Sequence, residues 1–176
     1  MDISGKLKKT IRDVPDFPKE GIIFKDITPV FKDLQLCKEI IDEFAIRLKD
    51  QKFDAIACLD ARGFWFGLSL SQKLGIPFVP IRKHGKLPFK AVSYSYDLEY
   101  GSATVEMHID AIEKGWNVLI HDDLLATGGT ASAAAELVKK RGGGIGAFAF
   151  IVQLGFLNGN EKLQKYDCEI VSLLKY

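Results

Sequence analysis

The run Val118-Leu119-Ile120-His121-Asp122-Asp123-Leu124-Leu125-Ala126-Thr127-Gly128-Gly129-Thr130-Ala131 constrains this chain more than any other stretch. It opens as a short apolar run fit for a buried parallel strand. Two adjacent carboxylates follow, then small residues, then an alanine-rich helix from Ala131 to Lys139. A strand that passes through glycines into a helix N-terminus gathers free backbone N–H groups and the positive end of the helix dipole at one point. That point suits an oxyanion, most often a phosphate. Thr127 and Thr130 add hydroxyl donors, and Gly128 and Gly129 let the backbone approach without a Cβ in the way. Asp122 and Asp123 would repel a phosphate but make sense as acceptors for nearby hydroxyl groups. The combination describes a site for a ribose 5-phosphate.

Other phosphate loops do not fit. There is no G-x-x-x-x-G-K-[ST] and no lysine between Asp123 and Thr130, which argues against a triphosphate cradle. No G-x-G-x-x-G follows a strand, so a dinucleotide site has no support. The plain alternative makes Gly128-Gly129 a turn and Asp122-Asp123 a solvated strand end.

The rest of the chain reads as alternating strands and helices. Asp2 to Ile11 is a short helix with Ile3, Leu7 and Ile11 on one stripe. Val14-Pro15-Asp16-Phe17-Pro18 cannot be helix interior, and Pro29 keeps Thr28 extended. Asp33 caps an amphipathic helix carrying Leu36, Cys37, Ile40, Ile41, Phe44, Ala45 and Leu48. Asp54 to Leu59 is the first core strand, ending in Asp60-Ala61-Arg62-Gly63 before a helix from Phe64 to Leu74. Pro77 to Ile81 is the second, ending in the loop Arg82-Lys83-His84-Gly85-Lys86-Leu87-Pro88. Alternating segments at Val92 to Leu98 and Ser102 to His108 precede the central strand. Later strands lie at Ile145 to Leu154 and Glu169 to Leu174, with one helical turn at Gly159 to Leu163. The expected fold is therefore α/β, a mainly parallel twisted sheet flanked by helices. In such sheets the ligand crevice lies beyond the carboxyl ends of the strands. Asp60 to Gly63, Arg82 to Lys86 and Asp122 to Thr130 all fall there.

Composition narrows the function classes. At 176 residues a single domain with a sizeable core is expected. A formal net charge of +1, with 27% charged residues, gives no electrostatic argument for a nucleic-acid partner. No apolar run is long enough to span a bilayer, and the N-terminus lacks a signal-peptide pattern, so neither membrane nor export is expected. Cys37, Cys58 and Cys168 are far apart in apolar segments, which reads as buried free thiols in a reducing, cytoplasmic setting. His84, His108 and His121 form no metal-ligand spacing, and the absence of G-x-S-x-G leaves a serine hydrolase without its elbow. His121 reads as a buried, hydrogen-bonded residue.

Two further clusters are ambiguous from spacing. Arg82, Lys83 and Lys86 are either a solvated loop or a mobile lid meeting an anion, with Arg62 pinning the same anion from another strand end. Nothing in the spacing prefers Glu99, beside Tyr100, over Glu106 as an acid–base group. The apolar residues of Gly21-Ile22-Ile23-Phe24-Lys25-Asp26-Ile27-Thr28-Pro29 read as a tether for an N-terminal arm.

The central run resembles the phosphoribosyl-pyrophosphate (PRPP) motif of type I phosphoribosyltransferases, an apolar strand and an acidic pair before A-T-G-G-T. From about Ile11 to Tyr176 the chain looks like the adenine phosphoribosyltransferases within that family. The carrying segments are Asp16-Phe17-Pro18, Gly21 to Pro29, Arg62-Gly63-Phe64, Arg82 to Pro88 and Leu98-Glu99-Tyr100-Gly101, with Asp122 to Thr130. A-T-G-G-T alone indicates only a type I transferase, whereas R-K-x-G-K-L-P with L-E-Y-G is more specific. The chain departs in having Lys25 where arginine is common, and Phe89-Lys90-Ala91 in place of a smaller or proline-containing segment.

The resemblance implies an N-terminal arm and base-binding hood over about residues 1–30 and a lid hairpin over about 82–108. Ala126, Thr127, Gly128, Gly129 and Thr130 would hold the 5-phosphate, and Asp122 and Asp123 the ribose hydroxyls. Arg62, Arg82, Lys83 and Lys86 would meet pyrophosphate, with Mg²⁺ bridging pyrophosphate and ribose oxygens near Asp122, mainly through water and PRPP. Phe24 would stack on adenine, with backbone groups of Ile23 and Lys25 reading its edge, and Glu99 would exchange a proton with purine N7. Implied too are AMP and pyrophosphate as products, in purine salvage, and a homodimer. Two rivals stand beside this: a type I transferase for hypoxanthine, xanthine or orotate, and a non-catalytic PRPP-sensing regulator. The sensor would usually add a DNA-binding segment, for which there is no room before Val14, and lose residues such as Glu99, Lys83 and Lys86. Glu106, in an alternating strand, is expected to tolerate Glu106→Gln.

Overall fold

The computed structural model of the chain describes residues 2–97 and 101–176. Asp2 caps α1 (Ile3–Thr10), its carboxylate accepting from Gly5 N at 2.9 Å, and Leu7 is buried on the inner stripe. A two-stranded antiparallel ribbon follows, β1 (Arg12–Pro15) against β2 (Ile23–Asp26), with Val14 opposite Phe24. Asp33 accepts from Leu36 N at 2.9 Å and starts α2 (Leu34–Arg47), whose Leu36, Ile40, Ile41 and Phe44 are buried at helical spacing. Phe44 is fully buried, and its replacement by alanine is expected to cost about 3–5 kcal/mol.

Next come β3 (Ala55–Leu59), α3 (Arg62–Leu74), β4 (Phe78–Lys83) and the hairpin β5 (Ala91–Asp97) with β6 (Ser102–His108). The central β7 (Asn117–Leu125) leads to α4 (Gly129–Lys140), then β8 (Gly144–Gln153), α5 (Gly159–Leu163) and β9 (Glu169–Lys175). The seven-stranded sheet runs β5-β6-β4-β3-β7-β8-β9. β4, β3, β7, β8 and β9 are mutually parallel, and the hairpin is joined to β4 antiparallel through β6. β3 shows why both faces are covered. Its Ile56 and Cys58 pack with Phe44, Phe66 and Leu70, and its Ala55, Ala57 and Leu59 with Ala134 and Leu137.

Helix α3 sits low on the sheet because two of its residues lack a Cβ. A Cβ at Gly67 would lie 2.3 Å from Cys58 Sγ, and one at Gly63 would lie 3.0 Å from both Asp122 Oδ1 and the His121 carbonyl oxygen. This close approach brings Arg62, the first residue of α3, down onto the acidic pair of β7.

The expected α/β class, mainly parallel sheet and flanking helices are all present. Several boundaries move. α3 begins at Arg62 and not Phe64, β4 continues through Lys83, and Asp122 and Asp123 lie within β7. The tether expected of Gly21 to Pro29 holds only for its second half. Ile27 is 1% exposed, whereas Ile22 and Ile23 are 44% and 55% exposed, because β2 belongs to a small ribbon outside the main sheet. Among the described residues no helix is long and apolar enough to cross a membrane.

Candidate active site

A cavity of about 600 Å³ opens beyond the carboxyl ends of β3, β4 and β7. Arg62 enters it from the start of α3, Arg82 and Lys83 from the end of β4, and Asp122 and Asp123 from β7, with Thr130 at its far wall. A smaller recess beside it is lined by residues 124–131 and shares Asp122 and Thr130 with the main cavity. The three clusters expected at strand ends therefore converge.

The recess is the turn into α4. Gly128 caps that helix with φ +75°, a conformation that disfavours any residue with a Cβ. A Cβ there would also lie 2.5 Å from the Gly159 carbonyl oxygen, and a Cβ on Gly159 would lie 2.1 Å from the Ala126 carbonyl oxygen. Gly128 is thus required by its own backbone and by the chain beneath it, and not only by access for an anion. Gly159 is a site-shaping residue for which the sequence held no signal.

The two arginines are already paired with carboxylates. Arg62 Nε lies 3.2 Å from Asp123 Oδ2, and Arg82 Nε lies 3.1 Å from Asp60 Oδ2. Arg82 Nη1 also donates to the Lys86 carbonyl oxygen at 3.0 Å, closing the loop on itself. Lys83 lines the cavity, whereas the exposed Lys86 does not. Burial pushes the Asp122 carboxyl well above its usual range, and the adjacent Asp123 charge adds to this. Burial raises Asp123 as well, against the opposing pull of Arg62. These groups are held at a cost to folding, the pattern of a site prepared for a ligand. The Asp60–Ala61 peptide is cis.

Phe24 reaches the site through Arg62, whose guanidinium carbon lies 5.2 Å from the ring centroid, and Phe17 packs edge-on to the same ring at 5.2 Å. The Lys25 side chain is occupied elsewhere, 2.6 Å from Asp13 Oδ1 and 4.0 Å from the Tyr176 ring centroid, and Ile23 is exposed. Glu99 lies outside the described residues.

Glu106, for which only tolerance of Glu106→Gln was expected, is tied into the framework of the basic loop. It is 8% exposed, its Oε2 accepts from Gly85 N at 2.9 Å, and its Oε1 lies 2.5 Å from His84 Nδ1. It ties the basic loop to β6. Strand alternation alone hid this, because Arg82 pairs across from Glu106 only once the hairpin folds back on β4. Tyr96 was likewise missed, and its hydroxyl lies 3.0 Å from Thr130 Oγ1. His121 is buried as expected. It donates from Nδ1 to the Ala149 carbonyl oxygen at 3.0 Å, and burial lowers its pKa to about 4.

Among the described residues no three His, Cys, Asp or Glu side chains converge to cage a metal. The two cavity carboxylates, Asp122 and Asp123, are hard oxygen ligands of the kind a Mg²⁺ shares with other oxygens and water.

Residues 30–173 match the phosphoribosyl transferase domain family. The adenine phosphoribosyltransferase of Cytophaga hutchinsonii is 56% identical over 170 residues, covering 97% of this chain and 94% of that protein. This chain belongs to the adenine phosphoribosyltransferase family. The solved adenine phosphoribosyltransferase of Thermoanaerobacter pseudethanolicus superposes with a TM-score of 0.94 at 49% identity, over 98% of this chain and 99% of that one. The Saccharomyces cerevisiae member, solved with an imino-altritol bisphosphate and adenine, gives a TM-score of 0.92 at 40% identity, over 98% of both chains. The general phosphoribosyl transferase match starts at residue 30, after the β1–β2 ribbon. The adenine phosphoribosyltransferase matches extend over nearly the whole chain and take in that ribbon, which carries Phe24.

Proposed function

We propose that the chain transfers the 5-phosphoribosyl group from PRPP to adenine, giving AMP and pyrophosphate in purine salvage. The observation that carries this reading is the convergence of Arg62, Arg82 and Lys83 with Asp122, Asp123 and Thr130 around one cavity, in a member of this family.

The backbone N–H groups and hydroxyls of Ala126, Thr127, Gly128, Gly129 and Thr130 hold the 5-phosphate at the start of α4. Asp122 and Asp123 accept from the ribose hydroxyls and fix the sugar. Arg62, Arg82 and Lys83 bind the pyrophosphate, and Lys86 joins them when the loop closes. Phe24 stacks on adenine while backbone groups of Ile23 and Lys25 read its edge. Breaking the bond from C1′ to pyrophosphate leaves an oxocarbenium-like sugar and a highly charged leaving group. Fixed cations and exclusion of water therefore matter more than a protein nucleophile. Purine N9 attacks C1′, and Glu99 exchanges the proton at N7. Asp122 would hold Mg²⁺, largely through PRPP oxygens and water, and the cation would supply charge neutralisation for the pyrophosphate. The hairpin of residues 82–108 acts as the lid, and the protein works as a cytoplasmic homodimer.

The test is pyrophosphate release from PRPP and Mg²⁺ with adenine, hypoxanthine, guanine and orotate in turn. Release with adenine well above the others is expected. Release with hypoxanthine or orotate alone would assign a different base, and PRPP binding without release would assign a sensor.

A further inference from the structure

Tyr96 stands in β5, three residues before Glu99 in sequence, and its side chain reaches Thr130 at the edge of the recess. Its hydroxyl lies 3.0 Å from Thr130 Oγ1, and its ring covers Gly129, where an added Cβ would meet Tyr96 Cδ2 and Cε2 at 3.5 Å. Tyr96 and Thr130 both line the main cavity, and Thr130 lines the recess as well. At its far end α4 holds the same strand through Lys140 Nζ, which donates to the Ser93 carbonyl oxygen at 3.2 Å. The hairpin is therefore fastened along α4, and the fastening nearest the ligand is one hydroxyl pair.

We propose that Tyr96 is a positioning residue that couples occupancy of the phosphate loop to the seating of β5 on α4. The proposal rests on the reading of residues 126–130 as the 5-phosphate site. A hydroxyl has a single hydrogen, so the Tyr96–Thr130 pair has two polarities. With the recess empty, either oxygen can donate to the other. An anion in the recess draws the Thr130 hydrogen toward itself, which leaves Thr130 Oγ1 as an acceptor and Tyr96 as the donor. The chain from Tyr96 to Thr130 to phosphate is then aligned, and each link polarises the next. Phosphate binding thus strengthens the contact that holds β5 against α4. By linkage, a β5 held on α4 strengthens phosphate binding by the same factor.

Tyr96→Phe keeps the ring over Gly129 and removes only the hydroxyl. The probe is ribose 5-phosphate, which carries the loop's ligand without pyrophosphate, and the readouts are amide hydrogen exchange and calorimetry on the full chain. In the unaltered protein ribose 5-phosphate is expected to slow exchange both in residues 126–131 and in residues 91–97. In Tyr96→Phe the slowing should persist at 126–131 and vanish from 91–97, with affinity reduced about 3–10-fold, the worth of one hydrogen bond. Equal slowing of both segments in Tyr96→Phe would overturn the proposal. So would faster hairpin exchange that is the same with and without ribose 5-phosphate, since that describes a merely structural hydroxyl. If ribose 5-phosphate leaves residues 126–131 of the unaltered protein unaffected, the phosphate-loop reading itself fails and takes this inference with it.

Discussion

Arg62 Nε lies 3.2 Å from Asp123 Oδ2, an oxygen that is shielded from water and receives no hydrogen bond among the described residues. The guanidinium is about one third exposed while the carboxylate is almost wholly buried, so the two ends of this pair differ in what their loss leaves behind. Removing the carboxylate charge leaves a solvated arginine. Removing the arginine would leave a buried charge without a partner, which is far more costly.

Asp123→Asn is therefore expected to stabilise the ligand-free protein while impairing the reaction. Relief of a buried charge on the order of 1 kcal/mol would raise Tm by roughly 2–4 °C in a chain of this size. Loss of a charged acceptor for a ribose hydroxyl should lower kcat/KM for PRPP about 10–100-fold. Thermal melts and initial rates on the same preparation check both. A lower Tm with unchanged kcat/KM would mean that Asp123 is a structural anchor for Arg62.

Gly128 and Gly159 form a second pair whose functions cannot be separated. Each would place a Cβ within 2.5 Å of the other segment's backbone oxygen, at 2.5 Å from Gly159 O and 2.1 Å from Ala126 O respectively. Gly128→Val should abolish PRPP binding, through a β-branched residue forced to positive φ as well as through this clash. Gly159→Ala is the sharper experiment, because that residue lies outside both cavities. It is expected to weaken PRPP binding at least 10-fold by calorimetry, with circular dichroism unchanged. Full affinity in Gly159→Ala would show that the loop adjusts freely.

Much of this was legible in the sequence, for physical reasons. β8 is apolar over most of its length, and β7 from Val118 to Ile120, because parallel strands buried on both faces must be, and Asp33 announced α2 by the side chain that caps it. The position of Arg62, Arg82, Lys83 and the acidic pair at strand ends followed from the alternation of strands and helices along the chain. Contacts that depend on folding-back were hidden. Glu106 meets Gly85, and Tyr96 meets Thr130, across 21 and 34 residues, and no local period encodes such pairings. Phe24 acquires its place over Arg62 only through the β1–β2 ribbon. Its local pattern of consecutive apolar residues looked like a tether.

Glu136 allows a test of how the segment carrying Gly159 is anchored. The Tyr166 hydroxyl, 2.7 Å from Glu136 Oε1, holds this carboxyl below its usual range, with Lys165 Nζ at 3.1 Å assisting against burial. A carboxyl whose folded pKa is depressed binds fewer protons folded than unfolded at acid pH. Its stabilising contribution is complete above the unfolded value of 4.5 and is lost as pH falls through the folded value. The stability difference between the unaltered protein and Glu136→Gln, from urea unfolding, should therefore be constant above about pH 5 and shrink below it. A difference that grows on acidification would reverse the assignment.

Glu99 and Glu106 are seven residues apart in sequence, and their variants should fail in different ways. Glu99, outside the described residues, is proposed as the proton-exchanging group. Glu99→Gln is expected to bind PRPP normally and lose roughly 10²–10⁴ of kcat, as for general acid–base catalysis. Glu106 was expected to be a neutral control, but it accepts from Gly85 N at 2.9 Å and meets His84 Nδ1, which fixes the turn between Lys83 and Lys86. Glu106→Gln retains a carbonyl oxygen for Gly85 and should raise KM for PRPP only a few-fold. Glu106→Leu removes both contacts and frees the loop, so KM for PRPP should rise about 10–100-fold, the cost of losing a hydrogen bond to a charged group. At saturating PRPP its kcat should stay within a few-fold of the unaltered enzyme, because the loop positions the leaving group and exchanges no proton. Unfolding curves establish that each variant is folded before the kinetics are compared. If Glu106→Leu loses kcat as severely as Glu99→Gln while KM is unchanged, Glu106 takes part in the chemical step and the assignment of proton exchange to Glu99 fails.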